Sequence, residues 1–236
     1  MALSDALVLV PGLNSTGRIF EPQIAALKDE RPVLVAEHRR DGTIAAIAAR
    51  LLAEAPERFA LLGHSMGGYV ALEVLRQAPG RVARLALLDT SARPDTEERR
   101  QARERLIALA ERGRFEAVHA ALWENLVPTD RRADAALEEV VLRMMRETGP
   151  EAFIRQQRAI MGRSDSRPLL PGIEIPTLVL VGAEDAITPP ELSCEIAEMV
   201  EWASLVVLPS CGHLSPIEQP EAVTAAIRAW LAAGHA

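Results

Sequence analysis

The chain has 236 residues, 49% hydrophobic and 25% charged, with a formal net charge of −7. That is enough for one α/β domain with an insertion, burying roughly 70–75% of its unfolded surface without disulfides or metals. Aromatic residues are only 3%, so a base-stacking surface is not expected, and the acidic balance disfavours nucleic acid as a partner. Cys194 and Cys211 have no metal-ligand spacing and read as small buried hydrophobes. Met1-Ala2-Leu3-Ser4-Asp5 lacks a basic region ahead of an apolar core, and no apolar run reaches membrane-spanning length. A cytoplasmic protein with no membrane partner is therefore expected.

The first predicted strand, residues 6–10, is apolar throughout, as in a strand buried on both faces. Pro11-Gly12-Leu13-Asn14-Ser15-Thr16-Gly17 follows as a turn-rich loop. A helix is predicted over 20–29, with Phe20, Ile24 and Leu27 on one face, then a strand over 33–36 behind Pro32. A second helix covers 43–55, and Pro56 ends it. The third strand, 59–62, leads into Gly63-His64-Ser65-Met66-Gly67-Gly68 and a helix to about 78, stopped by Pro79-Gly80. A fourth strand spans 82–88 and ends at Asp89. Residues 91–168 hold no strand-like run; charged helical spacing there predicts three or four inserted helices. Strands resume at 177–181, behind Pro176, and at 205–208, ended by Pro209; a last amphipathic helix covers 221–231, with Val223, Ile227, Trp230 and Leu231 inward. Strands alternating with helices predict an α/β fold with a mostly parallel sheet covered on both faces. The expected division is a core of 1–90 and 169–236 carrying a helical cap at 91–168. No internal repeat or low-complexity tract is present.

Gly63, Ser65 and Gly67 match G-x-S-x-G between a predicted strand and a predicted helix, the context in which that pattern presents a nucleophile. A tight strand-to-helix turn strains its central residue and crowds the positions two away, which favours glycine there. A phosphate-cradling loop fits poorly, because no Gly-Lys-Ser/Thr follows. A serine hydroxyl needs a base that is neutral near pH 7, which favours histidine. Of His38, His64, His119, His213 and His235, His213 is placed best, in a turn after the sixth strand. His64 adjoins Ser65, but neighbours on a sharp turn point apart, so it reads as structural, as does His38. Asp185, after the fifth strand, is the expected acid; Glu184 and Asp89 are its rivals. The Met66 amide and an amide of the first loop, Leu13, are the expected oxyanion donors. Asn14, His119, Trp123, Met144 and Phe153 are candidate pocket residues, with Met145 and Met161 beside them, although helical spacing more often buries such residues in a core.

Taken together, GHSMGG at 63–68, VGAEDAITPP at 181–190, CGHLSPIEQPE at 211–221 and VLVPGL at 8–13 resemble the α/β-hydrolase superfamily over about 6–90 and 169–233. The resemblance implies a trimmed, six-stranded core starting at the family's third strand, with the nucleophile strand beside the first strand of this chain. Position 11 is proline where many relatives carry histidine. It also implies a serine hydrolase cleaving carboxylic esters by way of an acyl-enzyme, with no cofactor and no metal, acting on a small or oligomeric ester. Serine at the nucleophile position sets aside the dehalogenase and epoxide-hydrolase branches, which use aspartate there. Lactonase, thioesterase and carbon–carbon bond hydrolase activities share this chemistry. A cofactor-free perhydrolase or haloperoxidase and a non-hydrolytic receptor on the same scaffold are the alternatives. Substrate identity and oligomeric state are not fixed by these motifs.

Overall fold

A computed structural model describes residues 6–233; the N-terminal pentapeptide and His235 lie outside the described residues. Six strands form one sheet: β1 (Ala6–Val10), β2 (Val33–Val35), β3 (Phe59–His64), β4 (Val82–Leu88), β5 (Thr177–Gly182) and β6 (Ala203–Leu208). Their order is β2-β1-β3-β4-β5-β6, and every neighbouring pair is parallel. The helices are α1 (Glu21–Leu27), α2 (Ile44–Glu54), α3 (Met66–Gln77), α4 (Glu97–Glu111), α5 (Phe115–Leu126), α6 (Ala135–Met161), α7 (Pro190–Met199), α8 (Ser215–Glu218) and α9 (Pro220–Ala232).

Alternation along the strands builds two apolar layers. Val8, Val10, Leu61, Leu85, Leu87 and Val179 face one layer with Ile47 and Leu51 of α2, Val70 and Val74 of α3 and Ile196 of α7. Leu7, Leu9, Leu62, Leu88, Leu178 and Leu180 face the other with Leu27 of α1 and Val223, Ile227 and Trp230 of α9. Each fully buried Leu, Ile or Val contributes roughly 1.5–3 kcal/mol. A strand covered on both faces must be apolar at every position, which is why these segments read as unbroken runs.

The register brings the carboxyl ends of the strands to one edge. Val10 lies opposite Gly63, and His64 opposite Leu88. The chain runs outward from β1 to β2, then crosses back so that β3 lies on the other side of β1. The crevice between the ends of β1 and β3 is therefore the topological switch point, where α/β sheets bind ligands.

Most elements differ from their expected bounds by a residue or two. The third strand continues through Gly63 and His64, and the sixth begins at Ala203. Residues 190–199, where no helix was predicted, form α7, because the Pro189-Pro190 pair that closes the loop also starts the helix with φ preset. Between β4 and β5 the chain is helical, α4 to α6, as expected of the insertion. α6 is two helical segments meeting at Gly149, which has φ 76° and is followed by Pro150. Among the described residues no helix is long and apolar enough to cross a membrane.

Candidate active site

Ser65 stands between β3 and α3 with φ 53° and ψ −116°, a region that L-residues avoid. The surroundings over-determine that strain. The Ser65 N–H donates to the Leu88 carbonyl at 2.9 Å, and the Thr90 hydroxyl donates to the Ser65 carbonyl at 2.7 Å. A Cβ on Gly63 would overlap the Gly67 carbonyl, and one on Gly67 would overlap the Val10 carbonyl. Glycine is required at both positions because backbone meets backbone. The turn projects the Ser65 hydroxyl into the crevice, with the Met66 amide opening α3 beside it.

The loops after β5 and β6 bring the other two expected residues to that hydroxyl. His213 Nε2 lies 2.8 Å from Ser65 Oγ, and His213 Nδ1 lies 2.8 Å from Asp185 Oδ2. Asp185 is itself held: Oδ1 accepts from the Ile187 and Thr188 amides at 2.8 and 2.9 Å, and Oδ2 accepts from the Thr188 hydroxyl at 2.7 Å. The histidine loop is braced by residues that carry little signal in the sequence. Glu218 accepts from the Gly212 and Leu214 amides at 3.0 and 2.9 Å, gripping the backbone on both sides of His213. The His213 N–H donates to the Leu126 carbonyl at 2.9 Å, which ties this loop to the end of α5. A glutamate five residues after a loop histidine, two positions ahead of the Pro220 that opens α9, is the only sequence signal for the first of these.

The rivals fall elsewhere. Glu184 is exposed. Asp89 is fully buried beneath the site: it accepts from the Gly182 amide at 3.0 Å and from the Ser215 hydroxyl at 2.5 Å, and its nearest histidine nitrogen is His64 Nε2 at 3.5 Å. His64 Nε2 donates to the His213 carbonyl at 2.8 Å, so His64 supports the histidine loop from below. His38 lies 3.2 Å from the Gly12 carbonyl and holds the loop after β1.

Electrostatics separates these groups. Burial alone would lower the His213 pKa, but the Asp185 charge and its hydrogen bond outweigh it and hold His213 above the ordinary imidazole value. Burial would raise Asp185, but the His213 charge and the hydrogen bonds from His213 and Thr188 keep it below the usual carboxylate value. Burial, aided by the His213 charge, lowers His64 to about 3, and burial lowers His38 to about 4. Burial and the nearby Asp185 charge push Asp89 well upward. The relay thus sits on two buried histidines held in their neutral form and on an aspartate shifted upward by burial.

A cavity of about 420 Å³ opens over Ser65 and His213. Leu13, Asn14, Met66, His119 and Met144 line it. A Cβ on Gly12 would stand 3.1 Å from Ser65 Cβ, which shows how closely the loop after β1 approaches the nucleophile turn. That loop is pinned by the Asn14 amide, which donates to Gln156 Oε1 at 3.0 Å. The Leu13 and Met66 amides donate to no protein acceptor among the described residues. Trp123 and Phe153 are corrections. Trp123 is buried in an apolar layer with its ring stacked on His119 at 5.5 Å, and its indole N–H donates to the Arg132 carbonyl at 3.1 Å. Phe153 is fully buried against Phe115, with ring centroids 5.4 Å apart. Met145 and Met161 are also off the wall. Helices that pack on one another bury their large apolar residues between themselves, and the cavity receives what is left. Arg99, Arg103, Asn125 and Gln157 line it and were not anticipated. Among the described residues, no group of three or more His, Cys, Asp or Glu is arranged to hold a metal ion.

A sequence model of the alpha/beta hydrolase family matches residues 7–226, and the chain belongs to that family. A protein named putative carbamate hydrolase RutD, from Yersinia enterocolitica, is 28% identical over 222 residues, 86% of this chain and 79% of the relative. Among solved structures, a thermophilic esterase from Thermogutta terrifontis, with malate bound, superposes with a TM-score of 0.88 at 32% identity, over 97% of this chain and 90% of that one. An enol-lactonase from Burkholderia xenovorans LB400 gives a TM-score of 0.87 at 25% identity, over 98% and 92% of the two chains.

Proposed function

We propose that this member of the alpha/beta hydrolase family is a serine hydrolase that cleaves carboxylic esters through an acyl-enzyme. The observation that carries the reading is the unbroken relay Asp185–His213–Ser65, with both links at 2.8 Å. Asp185 accepts a hydrogen bond from the Nδ1–H of His213, which fixes the tautomer in which Nε2 is free to take the Ser65 proton. Ser65 Oγ then attacks the carbonyl carbon, and the Leu13 and Met66 amides hold the oxyanion. His213 returns the proton to the leaving alcohol. Water, deprotonated by His213, then cleaves the acyl group from Ser65. Helices α4 to α6 form a cap over this chemistry, lining one side of the cavity and limiting water around the reacting carbonyl.

Relatives named esterase, enol-lactonase and carbamate hydrolase support a hydrolase acting at an acyl carbon. Cyclic esters are within the same reaction, because the attacked carbonyl and the departing alcohol are the same groups. The test is a parallel screen of a 4-nitrophenyl ester, a lactone, an acyl thioester and a carbamate. Ester turnover should exceed the others and should fall by about 10⁴-fold or more in Ser65→Ala, with the circular dichroism of the fold retained. Turnover surviving in a folded Ser65→Ala variant contradicts the proposal.

A further inference from the structure

Helix α4 carries charge to a wall that is otherwise largely apolar. Arg99, Ala102, Arg103 and Leu106 follow helical spacing along one face, and all four line the cavity that holds Ser65. None of the described residues lining that cavity is Asp or Glu, although the chain as a whole carries −7. Arg99 is half-buried and joins no ion pair among the described residues. Its guanidinium donates from Nη2 to the Ile187 carbonyl at 3.2 Å. A neutral carbonyl holds the fork in place without cancelling its charge.

The second guanidinium is only partly compensated. Arg103 Nε lies 2.7 Å from Asp95 Oδ2, but Arg163 Nη1 lies 2.8 Å from Asp95 Oδ1, so one carboxylate serves two cations. Arg103 Nη1 also donates to Gln157 Oε1 at 2.7 Å. This contact fixes the orientation of the Gln157 amide, because only its oxygen accepts. Gln157 Nε2 is then left as a donor with no partner, on a fully buried side chain that lines the cavity. Buried donors without acceptors are rare and costly. One cavity thus carries a guanidinium without an ion pair, a shared one and an orphaned amide N–H.

We propose that this wall is a carboxylate subsite, and that the substrate is an ester or lactone carrying a free carboxylate away from the scissile bond. The proposal rests on the serine hydrolase reading above and names its substrate class. Arg99 supplies the planar fork that pairs with a carboxylate, with Gln157 donating beside it.

The experiment compares mono-4-nitrophenyl adipate with its neutral methyl ester. The wild type should favour the acid, and the acid-to-ester ratio of kcat/KM should fall about 10- to 100-fold in Arg99→Ala. Arg99→Lys should recover part of the ratio, and Arg99→Glu should invert it. A ratio unmoved by Arg99→Ala, or a wild type that favours the methyl ester, overturns the subsite. Calorimetry with adipate on Ser65→Ala separates this claim from the catalytic one. Saturable binding that weakens tenfold or more when Arg99→Ala is added supports the subsite even if neither ester is cleaved. Failure of adipate to bind, beside normal cleavage of the methyl ester, sinks the subsite and leaves the hydrolase reading standing.

Discussion

The carboxyl edge of the sheet and the inserted helices meet across one cavity, but they are built by different rules. At the sheet edge, backbone packs on backbone. Gly63 and Gly67 leave no room for a side chain, Ser65 holds a positive φ, and Glu218 grips the amides on both sides of His213. In the inserted helices, side chain packs on side chain, and the face of α4 that reaches the cavity is set by helical spacing alone. The first arrangement tolerates little change and fixes the position of each reacting atom. The second accommodates exchange of one side chain for another, so it suits the reading of a substrate. The division of labour is between positioning chemistry and selecting what undergoes it.

The largest effects are expected at the two buried aspartates. Asp185→Asn should lower kcat by about 10⁴-fold, the size of loss known when an asparagine replaces a triad aspartate and leaves the histidine in the wrong tautomer. Asp89→Asn, which touches no ring nitrogen of His213, should cost less than about tenfold in kcat and roughly 1–3 kcal/mol in stability. Equal losses in kcat would show that Asp89 shares the role assigned to Asp185.

The pH profile gives a smaller and continuous test. His213 acts as a base only when neutral, so kcat/KM must fall as pH drops through its pKa, about tenfold per unit. Since the Asp185 carboxylate holds His213 above its ordinary value, the acid limb should lie above about 6.5. Asp185→Asn removes that cause and should move the limb to lower pH. A profile flat to pH 4 excludes His213 as the base.

The smallest effect is expected on the helical side. Met144 is almost fully buried, lines the cavity and accepts from the Ser15 hydroxyl at 3.2 Å. Met144→Ala should cost roughly 2–5 kcal/mol in stability and shift preference toward longer acyl chains, with a change of only a few-fold in kcat on a short ester. A loss on every ester as deep as that of Asp185→Asn would erase the distinction between the two regions.

The same division explains what the amino-acid sequence disclosed. Ser65 and Asp185 follow strands buried on both faces and His213 follows the apolar edge strand β6; their apolar runs and turn residues can be read directly, and the glycines two positions either side of Ser65 mark the strained turn. The parallel sheet was legible for the same reason. α7 was not, because Pro189-Pro190 serves equally as the end of a loop and the start of a helix. Glu218 and Leu126 support His213 through its backbone, and a backbone contact leaves no pattern of residue types. Trp123 and Phe153 were expected at the cavity because they are large and apolar, but those properties bury them between helices. Arg99 and Arg103 could not be singled out, because α4 has charge on most of its length and periodicity does not tell which arginine faces inward.

The account stands or falls on Ser65 Oγ being the one atom that the relay activates. A fluorophosphonate reacts with such an oxygen, and peptide mass spectrometry locates the adduct. The folded protein should take up one label per chain, on Ser65, and His213→Ala should abolish labelling. Label on another residue, or no label on folded wild-type protein, contradicts the account.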